Sequence, residues 1–197
     1  LLHQEPPNGE QAAATTAVFY SINNCLQGLR GVSFGNFLIK QVIERLAVEA
    51  PAITQYVTLS PVPGFMRWLQ KKPDLEKFVS KEEHQYIRSL LASHFTVETL
   101  GAHAALQQLL PRLCAQYLVQ EKSRGKPADP VARFHMGNGA RLEQINWMAD
   151  ASENGIRQSA GLMVNYVYDR KHMARNHEAY EQRNEVAYAN SIRKMLQ

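Results

Sequence analysis

"TTAVFYSIN" (residues 15–23), "CLQGLRGVSFGN" (25–36), "NFLIKQVIERLAVEA" (36–50) and "AITQYVTLS" (52–60) follow one another almost without a break, and their order decides the fold. β-Branched and aromatic residues bounded by polar ones make the first piece a strand over 15–23. The third carries Leu38, Ile39, Val42, Ile43 and Leu46 at helical spacing, which predicts a helix over 36–50 that Pro51 ends. Val57, Thr58 and Leu59 favour a second strand reaching Ser60, and Pro61, Val62, Pro63 and Gly64 cannot continue it. Strand, glycine loop, helix and strand within one sheet require parallel strands and a right-handed crossover. Both loops, at 28–35 and 60–65, then leave the carboxyl ends of strands, where open α/β sheets bind ligands.

Glycines at 28, 31 and 35 let the backbone approach a ligand closely, and the free amides of the following helix suit a phosphate or pyrophosphate, with Arg30 nearby. The spacing is not GxGxxG and no GK[ST] follows, so neither a dinucleotide fingerprint nor a P-loop is present; a plain strand-to-helix turn needs glycine too. Ser60 also has two readings. Serine before proline starts turns well, because its hydroxyl bonds to nearby backbone and the residue before proline is held extended. A catalytic role requires a partner residue and a substrate site elsewhere in the chain.

The remaining chain reads as one soluble, unexported domain. Its 197 residues are 45% apolar and 20% charged, enough for a proper core, with no apolar run of membrane-spanning length and no signal-peptide pattern in Leu1–Glu10. Cys25 and Cys114 lie far apart without CxxC spacing, which suggests neither a thiolate metal site nor a disulfide framework and fits a reducing compartment. His84, His94 and His103 fall on helical segments without metal-ligand spacing and read as surface or packing residues. A net charge of +4 favours an anionic partner without identifying one. The basic stretch "EKSRGKPADP" (121–130) reads as a solvated loop, with no accompanying nucleic-acid motif.

Residues 66–120 read as helical. Ser80 and Glu83 form a capping box ahead of a stripe of Tyr86, Ile87, Leu90, Leu91 and Phe95. Leu106, Leu109, Leu110, Leu113 and Tyr117 form another, with Pro111 marking a kink or boundary. Both stripes are core faces. In "DPVARFHMGNGARLEQINWMAD" (129–150) His135 precedes a Gly-Asn-Gly turn, and "GLMVNYVYD" (161–169) is a late strand in which Tyr166 and Tyr168 are packing residues. From Met173 to Gln197 a single charged helix turns Tyr180, Val186, Ile192 and Leu196 inward.

Four blocks, "FYSINNCLQGLRGVSFGNFLIKQVIERL", "VTLSPVPGFMRWL", "DPVARFHMGNGARLEQINWMAD" and "SAGLMVNYVYD", together resemble the carboxyl-terminal catalytic domain of the malonyl-CoA decarboxylase family. The resemblance is strongest over 18–69, 111–169 and 176–187 and vaguer over 72–105. It implies an α/β (α+β) acyl-CoA-binding fold like that of the GNAT acetyltransferases, a mixed sheet flanked by helices with a helical insertion. The CoA-binding unit is then 15–65, the helical segment 66–120 and the active-site histidine block 130–197. In ordinary acetyltransferases the CoA loop runs Arg or Gln, two residues, Gly, one residue, then Gly or Ala; here Gly28, Gly31 and Ser33 hold those positions, a partial match. Some family members have glutamate where Ser33 stands. The resemblance assigns CoA contacts to Gly28, Arg30, Gly31, Val32, Ser33, Phe34, Gly35 and Asn36. It also implies that the family's amino-terminal helical domain and opening strands are missing, so that this chain is a fragment whose strand edge near 15–23 is exposed or covered by another chain.

The resemblance further implies that Ser60, in the SP-x-PGF block, and His135, in the FH-x-x-NGA block, act together at the reacting carbon. The family reaction, in fatty acid metabolism, converts malonyl-CoA to acetyl-CoA and CO2. When that carboxylate leaves, electrons move onto the thioester carbonyl as an enolate, so the substrate carries its own electron sink and no metal or organic prosthetic group is obligatory. The protein must supply a donor for the oxyanion, a pocket that favours carboxylate loss and a proton for the carbanion carbon. A histidine titrating near ~6.5 suits proton donation at neutral pH, with the serine orienting and relaying. Asn138 either aims the imidazole and helps bind substrate or only shapes its turn. Expected partners are malonyl-CoA and acetyl-CoA, further copies of the chain and the missing amino-terminal part, with no nucleic acid or membrane. The expected location is cytoplasmic, or the mitochondrial matrix or peroxisome in a eukaryote. An acyl-CoA N-acyltransferase and a non-catalytic CoA-binding module are the competing readings.

Overall fold

The structure, a computed structural model, describes residues 14–20, 34–72, 74–92 and 95–197. Its central element is a four-stranded mixed sheet. Strand β1 (Thr16–Tyr20) pairs in parallel with β2 (Gln55–Pro61), in a register that sets Thr16 against Gln55 and Tyr20 against Leu59. Helix α1 (Phe34–Glu49) lies between them in sequence, as the spacing of its apolar residues requires. Ile39 and Ile43 are buried, whereas Leu38 is 60% exposed, so the inward stripe is narrower than its sequence suggests. Residues 21–23 of the expected first strand lie outside the described residues.

After the Pro-Val-Pro-Gly turn come α2 (Phe65–Lys71), a short 3-10 helix (Leu75–Lys77), α3 (Lys81–Ala92), α4 (Val97–Ala102) and α5 (Leu106–Val119). The capping box forms: the Ser80 amide donates to Glu83 Oε2 at 2.8 Å and the Glu83 amide to Ser80 Oγ at 3.2 Å. Ile87 and Leu90 of the first stripe are buried, as are all five residues of the second. Pro111 sits in the second turn of a continuous α5 rather than at a boundary. His84 hydrogen bonds with Arg88, the His103 ring packs edge-on against Tyr86, Cys114 is buried in α5, and His94 and Cys25 lie outside the described residues.

The basic stretch is not a plain loop. Strands β3 (Lys122–Ser123) and β4 (Lys126–Pro127) form a small hairpin whose turn residues Arg124 and Gly125 both have positive φ, the geometry that matches strand twist in two-residue hairpins. Helix α6 (Pro130–Gly137) follows, then β5 (Arg141–Asn146), α7 (Glu153–Ser159) and β6 (Met163–Val167). β6 inserts between β2 and β5, antiparallel to both, giving the order β1-β2-β6-β5.

The expected single terminal helix is two: α8 (Met173–Arg183) and α9 (Asn190–Met195). Asn184, at φ 55°, ends α8 in the left-handed conformation, a cap that asparagine tolerates. The intervening segment runs beside β5, where the Leu142 amide donates to the Ala187 carbonyl and the Ala189 amide to the Leu142 carbonyl. Edge pairing there satisfies backbone groups that a helix would have satisfied internally. Tyr180 and Ile192 are buried as expected, while Val186 and Leu196 are only half-buried. At the opposite edge, β1 leaves Val18 and Tyr20 more than half exposed.

Candidate active site

Side chains alternate across a strand, so Tyr56, Thr58 and Ser60 share one face of β2, and all three are buried. On β6 and just beyond it, Val164, Tyr166 and Tyr168 are buried likewise, with Ser60 opposite Val164. Helix α6 lies over this face. The structure therefore brings Ser60 and His135, 75 residues apart in sequence, to 3.1 Å between Ser60 Oγ and His135 Nε2.

The imidazole is held on three sides. Its Nδ1 is 2.8 Å from the Tyr168 hydroxyl, and its ring stacks on Tyr166 with centroids 4.6 Å apart and planes 24° from parallel. Phe134 and Tyr168 meet it edge-on. Ser60 Oγ donates to Thr58 Oγ1 at 3.0 Å, and that oxygen also accepts the Tyr166 amide at 3.2 Å. Ser60 is 4% exposed, His135 2% and Thr58 0%. Tyr166 and Tyr168 thus pack in the strand region as expected, but they also grip the histidine.

Burial changes the chemistry expected of His135. Desolvation pushes its pKa down from 6.5 to about 3, so the ring is neutral at neutral pH and is not an imidazolium donor. The same desolvation pushes the Tyr168 and Tyr166 phenols well above their ordinary range, which keeps both protonated. Thr58, Ser60, His135 and Tyr168 are uncharged and hydrogen bonded, the condition under which polar groups tolerate a core, whereas the Tyr166 hydroxyl is buried without a partner among the described residues.

Asp129 and Asn138 set the position of α6. Asp129 caps the helix, its Oδ1 accepting the Val131 and Ala132 amides at 3.0 Å each, and Pro130 fills the first helical position, where a missing N–H costs nothing. Asp129 Oδ2 faces the Gly64 amide and the Tyr117 hydroxyl, both at 3.4 Å, which ties the start of α6 to the turn after Ser60. Burial pushes its carboxyl pKa up, against the opposing pull of the Ala132, Gly64 and Val131 amides and the Tyr117 hydroxyl. Gly64 must be glycine for this approach, since a Cβ there would run into the Tyr117 hydroxyl. At the other end Asn138 caps the helix and donates from Nδ2 to the Phe134 carbonyl at 2.9 Å. Gly139 follows at φ 84°, and a side chain there would meet the Met173 backbone.

Gly28, Arg30, Gly31, Val32 and Ser33 lie outside the described residues, and Phe34, Gly35 and Asn36 form the opening turn of α1. The register sets Tyr20, the last described residue of β1, against Leu59, the residue before Ser60. Among the described residues no three His, Cys, Asp or Glu side chains come together as metal ligands, and no helix is long and apolar enough to cross a membrane. Thr58, Tyr168 and Asp129 were missed as site residues. Each carried a signal: two-residue spacing from Ser60 for Thr58, strand alternation for Tyr168, and Asp before Pro for the cap.

Fold and site together define a mixed α/β domain with a buried, uncharged Ser–His pair on the inner face of its sheet. The chain belongs to the malonyl-CoA decarboxylase family, whose C-terminal domain model matches residues 1–197. It is 40% identical over 185 residues to "Malonyl-CoA decarboxylase, mitochondrial" of Anser anser anser, an alignment covering 84% of this chain and 37% of that protein. The Rattus norvegicus protein of the same name is 39% identical over 189 residues, covering 85% and 38%. Crystal structures of malonyl-CoA decarboxylase from Rhodopseudomonas palustris and Agrobacterium vitis superpose with TM-scores of 0.83 and 0.85, both at 46% identity. They cover 92% and 93% of this chain and 42% and 46% of theirs. The chain thus spans about two-fifths of the length of the relatives it matches.

Proposed function

We propose that this chain carries the reacting groups of a carboxy-lyase that converts malonyl-CoA to acetyl-CoA and CO2, with Ser60 and His135 supplying the proton. The observation that carries the reading is the 3.1 Å contact between Ser60 Oγ and His135 Nε2, residues only 4% and 2% exposed, in a chain of this family. The bond from the malonyl methylene to its carboxylate carbon breaks, the electron pair moves onto the thioester carbonyl, and the resulting enolate carbon takes a proton that water later replaces. A thioester enolate is a far stronger base than an alkoxide or a phenolate. A neutral hydroxyl backed by a neutral imidazole is therefore acid enough, and the low histidine pKa is no obstacle. Exclusion of water also favours loss of charge as the carboxylate becomes CO2.

In this reading CoA lies over the glycine loop, with its pyrophosphate on the opening turn of α1 in the manner of GNAT acyltransferases. The parallel pairing of β1, which precedes that loop in sequence, with β2, which carries Ser60, supports the arrangement. Decarboxylation uses no metal or organic prosthetic group, because the thioester carbonyl receives the electrons. The enzyme acts away from membranes, in the mitochondrial matrix if its source is eukaryotic, as a homo-oligomer of the longer chain. The test is to incubate the full-length parent with malonyl-CoA and no amine acceptor. Acetyl-CoA and CO2 in equal amounts are expected; acyl transfer that begins only when an amine is added would replace this reading with the acyltransferase one.

A further inference from the structure

We infer that Thr58 is a positioning residue that fixes the direction of the hydrogen-bond chain through Ser60 and His135, holding His135 as the Nε2–H tautomer and Ser60 as a proton donor rather than a nucleophile. The inference rests on the proposed role of Ser60 and His135 and adds the residue that orients them.

Four contacts carry it. Thr58 Oγ1 accepts two hydrogens, from the Ser60 hydroxyl at 3.0 Å and from the Tyr166 amide at 3.2 Å. A hydroxyl oxygen has two lone pairs, so both acceptor positions are filled. The Ser60 hydrogen is thereby committed to Thr58, and the face of Ser60 Oγ toward His135 presents a lone pair. At 3.1 Å, Nε2 must then carry the hydrogen. A neutral imidazole has one N–H, so Nδ1 is an acceptor, and the Tyr168 hydroxyl 2.8 Å away donates to it. The chain runs in one direction: Tyr168 to His135 to Ser60 to Thr58. Thr58 is 0% exposed, and its own carbonyl accepts the Asn165 side chain at 2.8 Å, so its position is fixed by β6 as well as by β2.

Direction has chemical content. In a serine hydrolase the hydroxyl donates to a histidine that will remove its proton, and an acyl-enzyme follows. Here the histidine donates to the serine. As the enolate forms, Ser60 turns its hydrogen from Thr58 to the carbon, Nε2 gives its hydrogen to Ser60 Oγ, and Tyr168 gives its hydrogen to Nδ1. When product leaves the hydrogens shift back along the chain, from Nδ1 to Tyr168 and from Ser60 Oγ to Nε2, and Ser60 Oγ takes a proton from water, which restores the Nε2–H tautomer. No bond to the acyl carbon forms, and the proton gained by the methylene comes from solvent.

The experiment uses the full-length parent with Thr58→Val and Thr58→Ser, beside Ser60→Ala. Valine keeps the β-branched shape and removes the acceptor; serine restores it. Thr58→Val should lower kcat by about ten- to a hundred-fold, less than loss of an acid-base group itself, with KM for malonyl-CoA within about two-fold, and Thr58→Ser should recover most of it. Histidine-selective ¹⁵N labelling of the unmodified parent should show the His135 Nε2 signal protonated and Nδ1 bare, a readout that needs neither variant nor substrate. Protonated Nδ1 in the unmodified parent, or a fully active Thr58→Val, overturns the inference. If Ser60→Ala is also fully active, the catalytic reading of Ser60 fails instead, while the ¹⁵N spectrum still decides whether Thr58 sets the tautomer.

Discussion

Two polar clusters join distant parts of this chain, and they do so in opposite ways. On the sheet face, Thr58, Ser60, His135 and Tyr168 are 0–4% exposed and carry no net charge. On the helical side, Trp68 Nε1 and Lys72 Nζ donate to the same Glu121 oxygen at 2.8 and 2.7 Å, and Asp74 lies 3.5 Å from Lys72. There the Lys72 and Glu121 side chains keep 18% and 30% of their exposure. The hydrogen bond to Glu121 raises the Lys72 pKa, and Glu121 is lowered because its donors outweigh partial burial, so both stay charged. The helical cluster keeps its charge by keeping its water. The sheet cluster gave up charge, and with it the imidazolium, to enter the core. The first arrangement ties α2 to the end of α5; the second can hold and move a proton in a dry site.

The largest effects should come from breaking the neutral cluster. In the full-length parent, Ser60→Ala and His135→Asn should each reduce turnover of malonyl-CoA by about 10²–10⁴-fold, with acetyl-CoA affinity nearly unchanged. Because the two act as a unit, the double variant should be little worse than the poorer single one; multiplied losses would assign them separate roles. Steady-state kinetics and calorimetric binding supply both numbers.

Acid stability comes next. The folded-state pKa of His135 lies below its unfolded value, so at intermediate pH the unfolded chain binds the extra proton. Its contribution is fully present above pH 6.5 and is lost as pH falls toward about 3. Unfolding followed from pH 7 to 4 should show the parent losing on the order of 1 kcal/mol per pH unit more than His135→Asn. Equal slopes would mean that the ring is solvated in the native state.

Glu121→Gln should do least. A partly exposed ion pair contributes about 1 kcal/mol or less, and the amide still accepts from Trp68, so a small drop in unfolding temperature with unchanged kcat is expected. A large loss of turnover would show that the helical cluster is coupled to the site.

How much of this was legible in the sequence depended on the range of the forces involved. The parallel β1-α1-β2 unit followed from local periodicity and from Pro51, and Ser80 with Glu83 specified their own cap three residues apart. Asn184 hid the break in the terminal helix, because periodicity across 173–197 continues whether or not the chain turns aside to pair with β5. β5 itself was missed, since its polar edge dilutes the alternation. Ser60 and His135 were found through their sequence blocks. Thr58 and Tyr168 were not: alternation gives the face they share, but their roles arise from the pairing of β2 with β6 and from the seat of α6, which spacing along one strand does not encode. The lowered pKa of His135 comes from the same packing.

The central claim is that an uncharged Ser60–His135 chain delivers the proton. The most direct measurement is the pH dependence of kcat in the full-length parent between pH 5 and 8. With the histidine pKa at about 3, kcat should be flat across this range. A break near pH 6.5 that disappears in His135→Asn would contradict the account, since it would show a solvated, titrating imidazole at the centre of the reaction.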